Sequence, residues 1–314
     1  MGRAFSKLNK RNKPMDIQNT QTEFRYINGR RFHNVENAMY HLPNDENETD
    51  RLHSQHFILR YLWQNNFSAP VDHILSKPGA KVLDIGCGAG SWAFDIATTY
   101  PLAKVVGLDI SPHQPTMIKP KNFEFVIGDV HEKLPFDDNT FDFVFQRFLV
   151  FGLNKEKFPQ VMNELVRVLK PGGFLELCEP SNFSNSGPVT KRLWDCEAEI
   201  LEEQGSTFDL YKKLEEYCRN QGQLENIKKE VNQCYYGTVY NSVELSKAIL
   251  NNTITAYSGL RPFLTKKLQI SDEEYDELTE TSKKELVEYN TYFDIFRVYA
   301  SKVITENNES EIQC

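Results

Sequence analysis

The stretch VLDIGCGAG, residues 82–90, decides how the rest of this 314-residue chain is read. A short apolar run over 81–86 enters three alternate glycines, Gly86, Gly88 and Gly90, and SWAFDIATTY behind them has the pattern of a helix. A strand that turns through glycines into a helix lets a ligand lie against bare backbone, because glycine carries no Cβ. Dinucleotide sites space these glycines as G-x-G-x-x-G, which needs glycine at position 91; Ser91 stands there, and the spacing is G-x-G-x-G. Asp84, two residues before the first glycine, would repel a pyrophosphate and suits a ligand that brings an ammonium or a sulfonium. The same carboxylate can also simply hydrogen-bond the turn beside it.

Working outward, KVVGLDI, FEFVIGDV, FDFVFQRF and FLELCEP read as four further strands separated by helical stretches. Short apolar strands alternating with helices indicate a parallel sheet covered on both faces. Phe158, Val161, Met162, Leu165 and Leu169 make one apolar helical stripe, which KPGG ends. After Pro180 the pattern is mostly helical, interrupted by β-like stretches at 229–236 and 292–303. These read as an antiparallel pair at one edge, with the end strand antiparallel to the sheet. Upstream, NDENETDR at 44–51 is acidic, and the following RLHSQHFILRYLWQNNF sets Leu52, Leu59, Leu62 and Trp63 on one helical face. The expected fold is α/β: a Rossmann-like, seven-stranded, mostly parallel sheet with helices on both faces, an N-terminal helical arm and a helical cap insertion. The expected division is a disordered basic tail at 1–20, an arm at 21–68 covering the site, a main domain at 69–304 with its cap at about 238–290, and a disordered end at 305–314.

Ligands of such sheets lie outside the carboxyl ends of the strands. Asp109 ends the strand after the glycine turn, where a carboxylate can accept from two adjacent ribose hydroxyls. The next strand end presents Gly128, Asp129 and Val130, and Asp129 can accept from an adenine amino group. The fourth ends in Gln146 and Arg147, facing either the far end of that ligand or a second substrate; an arginine there can equally be a surface cation.

Composition narrows the remaining classes. A 40% hydrophobic fraction supports a sizeable core. No run approaches the roughly 18 to 20 apolar residues of a spanning helix, and the N-terminus has basic residues without a signal peptide's apolar stretch. The expected location is cytoplasmic. Cys87, Cys178, Cys196, Cys218, Cys234 and Cys314 form no C-x-x-C pair and read as reduced thiols with no metal site. A formal charge of −8 argues against nucleic acid as partner. Residues 1–14 carry five basic side chains and no acid, leaving 31 basic against 44 acidic groups in the rest, a balance of −13. MGRAFSK fits the N-myristoylation pattern at Gly2, with Ser6 in place, and the basic cluster would add attraction to anionic lipid. The competing reading is an unmodified, solvated tail. The chain's last residues, EIQC, lack the C-a-a-X prenylation pattern.

VLDIGCGAGSW, VVGLDIS, GDV, LPFDDNTFDFVFQRF and LKPGGFLELCEP resemble, in order, the successive motifs of class I S-adenosylmethionine-dependent methyltransferases, over residues 81–180. YHLPNDENETDRLHSQH at 40–56 and EPSNFSNSGPVTKRLW at 179–194 resemble the fungal branch related to global regulators of secondary metabolism. The resemblance implies that Asp84, Gly86, Gly88 and Gly90, with Cys87 among them, surround the methionine part of the cofactor. It likewise implies Asp109 and Ile110 at the ribose, Asp129 and Val130 at the adenine, and Gln146 after the fourth strand. Arg51 or Tyr40 would reach the cofactor's carboxylate, Arg51 having a surface salt bridge as its alternative. The implied reaction is in-line methyl transfer to a small-molecule acceptor, which rests mainly on orientation and desolvation, with a base needed only for hydroxyl or protonated amine acceptors. His41, His53 and Glu179 are candidate bases, none of them assigned. Tyr235, Tyr236, Tyr240 and Tyr257 surround the expected cap and suit an apolar acceptor or the core. The competing class is a cofactor-binding regulator that acts through protein contacts. A nicotinamide oxidoreductase is disfavoured by Ser91 and Asp84.

Overall fold

The computed structural model describes residues 24–34, 40–112 and 119–304. The Gly2 motif, the basic cluster, Cys314 and both expected disordered ends lie outside the described residues.

A seven-stranded sheet in the order β5-β4-β3-β6-β7-β9-β8 forms the centre. Its strands are β3 (Lys81–Ile85), β4 (Lys104–Asp109), β5 (Phe123–Ile127), β6 (Phe141–Arg147), β7 (Leu169–Ser184), β8 (Leu224–Tyr235) and β9 (Tyr292–Lys302). The first five in spatial order pair in parallel, and β9 is antiparallel to both of its neighbours. The antiparallel strand is therefore one in from the edge, a correction to the expectation of an antiparallel end strand. Side-chain chemistry explains the placement. Ile295, Val298 and Ala300 of β9 are fully buried, whereas β8 carries the charged run ENIKKE, suited to an exposed edge that must not pair further.

Alternation along the strands sorts the core into two layers. Leu83 and Ile85 of β3, Val106 and Leu108 of β4, and Val144 of β6 pack on one face against Phe158, Val161, Met162 and Leu165. These four project from α4 (Phe158–Val168). Val82, Val105, Phe143 and Phe145 point to the other face and meet Ile58 and Leu59 of α1 (Glu46–Trp63), and Trp92, Ala93 and Ile96 of α3 (Ser91–Thr99). Trp92 stacks on Phe145 at 3.9 Å between centroids. The same alternation puts Asp84 on the second face with Val82, and Arg147 there with Phe143 and Phe145.

The apolar stripe ends one residue sooner than its spacing suggests. Leu169 is already in β7, paired with Phe141, and the next pairing joins Phe143 to Phe174. KPGG is thus a bulge inside one strand, with Gly172 at φ +75° and Lys170 Nζ donating to both oxygens of Asp142. The acidic stretch before α1 is the helix's own start: Asp45 caps it by accepting from Glu48 N, and Glu46 and Glu48 lie in the first turn, where the helix dipole favours negative charge.

Two elements precede α1 that the hydrophobic pattern did not announce. β1 (Phe24–Ile27) and β2 (Arg30–His33) form a hairpin turned by Asn28 and Gly29, at φ +49° and +76°. Asn-Gly is the residue pair such a turn favours. Helices α2 (Asp72–Leu75), α5 (Pro188–Glu203), α6 (Leu214–Asn220), α7 (Val243–Leu268) and α8 (Asp272–Glu288) complete the chain. A capping box at Ser271 and Glu274 starts α8.

The segment joining α1 to α2 is tied to the middle of the sheet by a buried ion pair. Glu176 Oε2 accepts from Ser68 N at 2.8 Å and Ala69 N at 2.7 Å. Arg297 Nε lies 3.5 Å from Glu176 Oε1, with its guanidinium 4.2 Å from the centroid of Trp63. Burial pushes the Glu176 carboxyl up, against the guanidinium and the two amides that favour its charged form. Removing one partner strands the other charge. Glu176→Leu is expected to lower stability by about 3–5 kcal/mol, and adding Arg297→Met to restore much of that, as read from urea unfolding midpoints. A double variant no more stable than the single one would contradict this account.

Candidate functional site

The turn after β3 is held by backbone geometry that only glycine adopts readily. Gly86, Gly88 and Gly90 have φ of +64°, +50° and +78°. At Gly86 there is a second constraint, since an added Cβ would fall 2.5 Å from Leu149 Cδ1. Cys87 N donates to Leu108 O at 3.1 Å and Gly90 N to Cys87 O at 2.8 Å, which closes the turn against β4. Asp109 completes it. One carboxylate oxygen accepts from Gly88 N at 2.8 Å and the other from Ser111 N at 2.9 Å. Each oxygen keeps a second lone pair.

Around this turn lies a cavity of about 570 Å³. Asp84, Gly86, Cys87, Gly88, Asp109, Ile110, Asp129 and Val130 all line it, so eight residues scattered over three strand ends meet in one place. Gly90 and Gln146 are not on its wall. Gly90 caps α3. Gln146, 1% exposed, turns to the other face of β6 and donates from Nε2 to Glu179 Oε1. The two-residue period of the strand makes Arg147 the β6 residue at the cavity, which corrects the expectation for Gln146.

The electrostatics are uneven along the wall. Burial raises Asp84 to about 8, opposed by Arg147 and reinforced by Asp109. Asp109 is also raised by burial, against the amides that hold it. Burial lowers the Arg147 guanidinium, with Cys178 and Asp84 acting the other way. Behind Arg147, His56 Nδ1 lies 3.4 Å from both terminal guanidinium nitrogens and His56 Nε2 lies 3.1 Å from Asp95 Oδ2. As an acceptor at Nδ1 the imidazole is neutral, in keeping with burial lowering its pKa. Asn66 and Arg60 also bind Asp95. Arg147 is thus backed by a neutral ring and a paired carboxylate, and carries its charge toward the cavity.

At the opposite end, Asp129 Oδ1 accepts from His131 N and Nδ1, both at 2.9 Å, and His131 Nε2 accepts from Asn154 N at 3.0 Å. The His131 hydrogen bond, the largest cause, holds the Asp129 carboxyl below its usual range. Above Asp109 and Ser111 sits the arm. Asn44 Nδ2 donates to Ser111 Oγ at 3.2 Å, Arg30 pairs with Asp45, and His33 Nε2 contacts Tyr40 O at 2.8 Å. His33, Tyr40 and Asn44 line the cavity.

Arg51 does not. Its Nε and Nη2 donate to Glu48 and its Nη1 to Asn252, so it is consumed by a buried pair and not a surface salt bridge. Of the candidate bases, His41 contacts Gln204, His53 Nδ1 meets Ser91 Oγ at 2.8 Å, and none of the three lines the cavity. Glu179, raised by burial to about 8, accepts from Leu149 N at 3.0 Å and so anchors the turn whose Leu149 presses on Gly86. Tyr236 and Tyr257 are buried beside a second, smaller cavity, while Tyr235 and Tyr240 stack on each other near the surface. His131, Asn154 and the hairpin residues were missed from sequence. Asn28-Gly29 was a signal for the last; nothing in the spacing marked the others. Among the described residues no cluster of His, Cys, Asp or Glu could hold a metal ion, and the five cysteines are free thiols.

A family model described as a methyltransferase domain matches residues 82–173. Methyltransferase pytC of Aspergillus terreus is 32% identical over 215 residues, covering 66% of this chain and 64% of the relative. N-methyltransferase verN of Clonostachys rogersoniana is 30% identical over 177 residues, 55% of this chain and 61% of the relative. Protein-methionine methyltransferase laeA of Emericella nidulans is 32% identical over 194 residues, 58% of this chain and 50% of the relative. The chain spans between half and two thirds of the length of these relatives. With the glycine turn, the acidic ends of β4 and β5 and the strand order, these matches identify residues 82–173 as a methyltransferase domain and make the chain similar to fungal methyltransferases over just over half to two thirds of its length.

Proposed function

We propose that the chain transfers the methyl group of S-adenosylmethionine to a small-molecule acceptor. The observation that carries this reading is the order of charge along the cavity: Asp84 and Arg147 at one end, Asp109 in the middle, Asp129 at the other. That order fits an amino acid, a ribose and an adenine in sequence. Asp84, buried and held neutral in isolation, gains its natural counter-ion from an α-ammonium, and Arg147 suits the adjoining carboxylate. The free lone pairs of Asp109 suit the ribose diol, and those of Asp129 the adenine amino group. Ile110 and Val130 supply apolar surface to the base.

The bound cofactor supplies an activated methyl on a sulfonium, so the protein's task is to orient and to exclude water. Gly86 and Gly88 allow close approach of backbone. Tyr40, Asn44 and His33 close the site from the arm side. His56 keeps Arg147 fixed without competing for its charge.

A second reading, a regulator that binds the cofactor and works through protein contacts, draws support from the likeness to laeA, which in other fungi bears the name secondary metabolism regulator. Incubation of the full chain with labelled S-adenosylmethionine and host extract separates the two. Label in a small-molecule fraction is expected here; label in no fraction would favour the regulator.

Two predictions concern the cofactor alone. Calorimetry with S-adenosylhomocysteine should show binding, weakened about 10- to 100-fold in Asp84→Asn and in Asp109→Asn, since each removes a charge-assisted hydrogen bond. Unchanged affinity in both variants would overturn the assignment. Because burial raises the Asp84 carboxyl to about 8, an ammonium beside it must expel its proton. Affinity should rise between pH 6 and 7.5, and binding at pH 7 should release close to one proton, detected by comparing buffers of different ionisation heat. Asp84→Asn should abolish the release.

A further inference from the structure

Beside the cofactor cavity lies a chamber of about 150 Å³. The two share Tyr40, Leu52, Gln55 and Phe148 in their walls, so they adjoin at the end of β6, where Arg147 stands. Phe151, Phe183, Trp194 and Phe208 make much of the chamber aromatic. A dry cavity of this volume accommodates a group about the size of a benzene ring.

Polar groups interrupt that lining, among them Arg51, Gln55, Asn252, Thr253, Glu197 and Tyr257. Glu197, on the α5 face turned to the chamber, is 6% exposed, and no hydrogen bond or ion pair within the described residues reaches its carboxylate. Arg51, which favours the Glu197 carboxylate electrostatically, makes its side-chain hydrogen bonds to Glu48 and Asn252. Tyr257, from α7, is 2% exposed and its hydroxyl is buried with no hydrogen-bond partner. Buried polar groups are nearly always satisfied, and a carboxyl without a hydrogen bond among the described residues, in the same chamber as an unpartnered hydroxyl, is an arrangement a ligand would complete.

We propose that this chamber binds the methyl acceptor, that the acceptor is a ring-sized apolar group carrying an N–H or O–H, and that Glu197 receives this hydrogen while Tyr257 donates to a second heteroatom. The inference rests on the methyltransferase reading above. In the transfer step the heteroatom's lone pair forms the new bond to the methyl carbon, the carbon–sulfur bond breaks with its electrons going to sulfur as a neutral thioether, and the heteroatom's proton passes to Glu197 in its carboxylate form, which prevails above about pH 8. The resulting carboxylic acid returns the proton to solvent after product leaves.

The charge state of Glu197 is set by what surrounds it. Arg51 of α1 favours the carboxylate, whereas burial, the larger influence, raises it to about 8. The phenols of Tyr236, Tyr257 and Tyr275 are close enough to feel its charge, and each is itself raised by burial. Being raised above its ordinary value, the group favours the folded state fully below about pH 4.5, and that contribution is lost as pH rises through about 8.

The test uses the full chain saturated with S-adenosylhomocysteine and two probes of one shape, indole with an N–H and indene without. Indole should bind about tenfold more tightly than indene. Glu197→Leu should bring the two within twofold of each other while leaving S-adenosylhomocysteine affinity unchanged, and Glu197→Gln should retain part of the indole preference. The variant should also fold, since it removes an unpaired carboxyl, and its thermal midpoint should fall less than the wild type's between pH 6 and 9. Equal binding of the two probes to the wild type, binding of neither, or a preference that survives Glu197→Leu would overturn the proposal. Loss of S-adenosylhomocysteine binding in the wild type would instead overturn the methyltransferase reading.

Discussion

The carboxylate of Asp109 ties together two turns whose strands, β3 and β4, already pair in the sheet. It takes the amide of Gly88 from the turn after β3 and that of Ser111 from the turn after β4, and so fixes the spacing between two strand ends across a parallel pair. A carboxylate held by two amides is paired without a cation, which keeps it available as an acceptor to a neutral diol. The left-handed backbone at Gly86, Gly88 and Gly90 is what brings an amide to that carboxylate. With larger residues the turn would strain and Leu149 could not settle against it. Together with the strand pairing and the Cys87 N to Leu108 O hydrogen bond, this contact sets the rim of the cavity at the ends of β3 and β4.

The remaining parts of the site attach to that rim in layers. From below, Glu179 fixes the turn carrying Leu149, and the Asp95, His56 and Arg147 series presents one positive group to the cavity beside Asp84. From above, Asn44, next to the hairpin, reaches the hydroxyl of Ser111, whose amide is Asp109's second partner. The arm is therefore continuous with the cofactor turn through hydrogen bonds and not merely draped over it. Its other side, through Leu52 and Gln55, forms the partition with the aromatic chamber. One helix thereby touches both volumes that a transfer reaction would need.

Much of this was legible in the residues. Strand ends rich in Asp, a G-x-G-x-G turn and alternating apolar runs led directly to the parallel sheet and to eight residues of one cavity wall. What escaped has a physical cause in each case. Gln146 and Arg147 are adjacent, and the two-residue strand period, which is invisible without knowing the phase, turns one to the wall and the other to Glu179. Leu169 continued the helical spacing of α4 by coincidence while its backbone joined Phe141 in the sheet. The position of β9 inside the sheet follows from the charge on β8, a comparison between two strands that no single window of sequence contains. Arg51, with an acid three residues away, was absorbed by Glu48 once both were buried. Glu197 gave no signal at all, because an acid in a helix with polar neighbours is ordinary until packing leaves it buried and without a hydrogen bond among the described residues.

The most direct measurement is a crystal structure of the full chain with S-adenosylhomocysteine. Both ribose hydroxyls should lie within hydrogen-bond distance of Asp109, with the amino acid end between Asp84 and Arg147. Density for the nucleoside elsewhere, or in this cavity with Asp109 contacting only Gly88 and Ser111, would contradict the account.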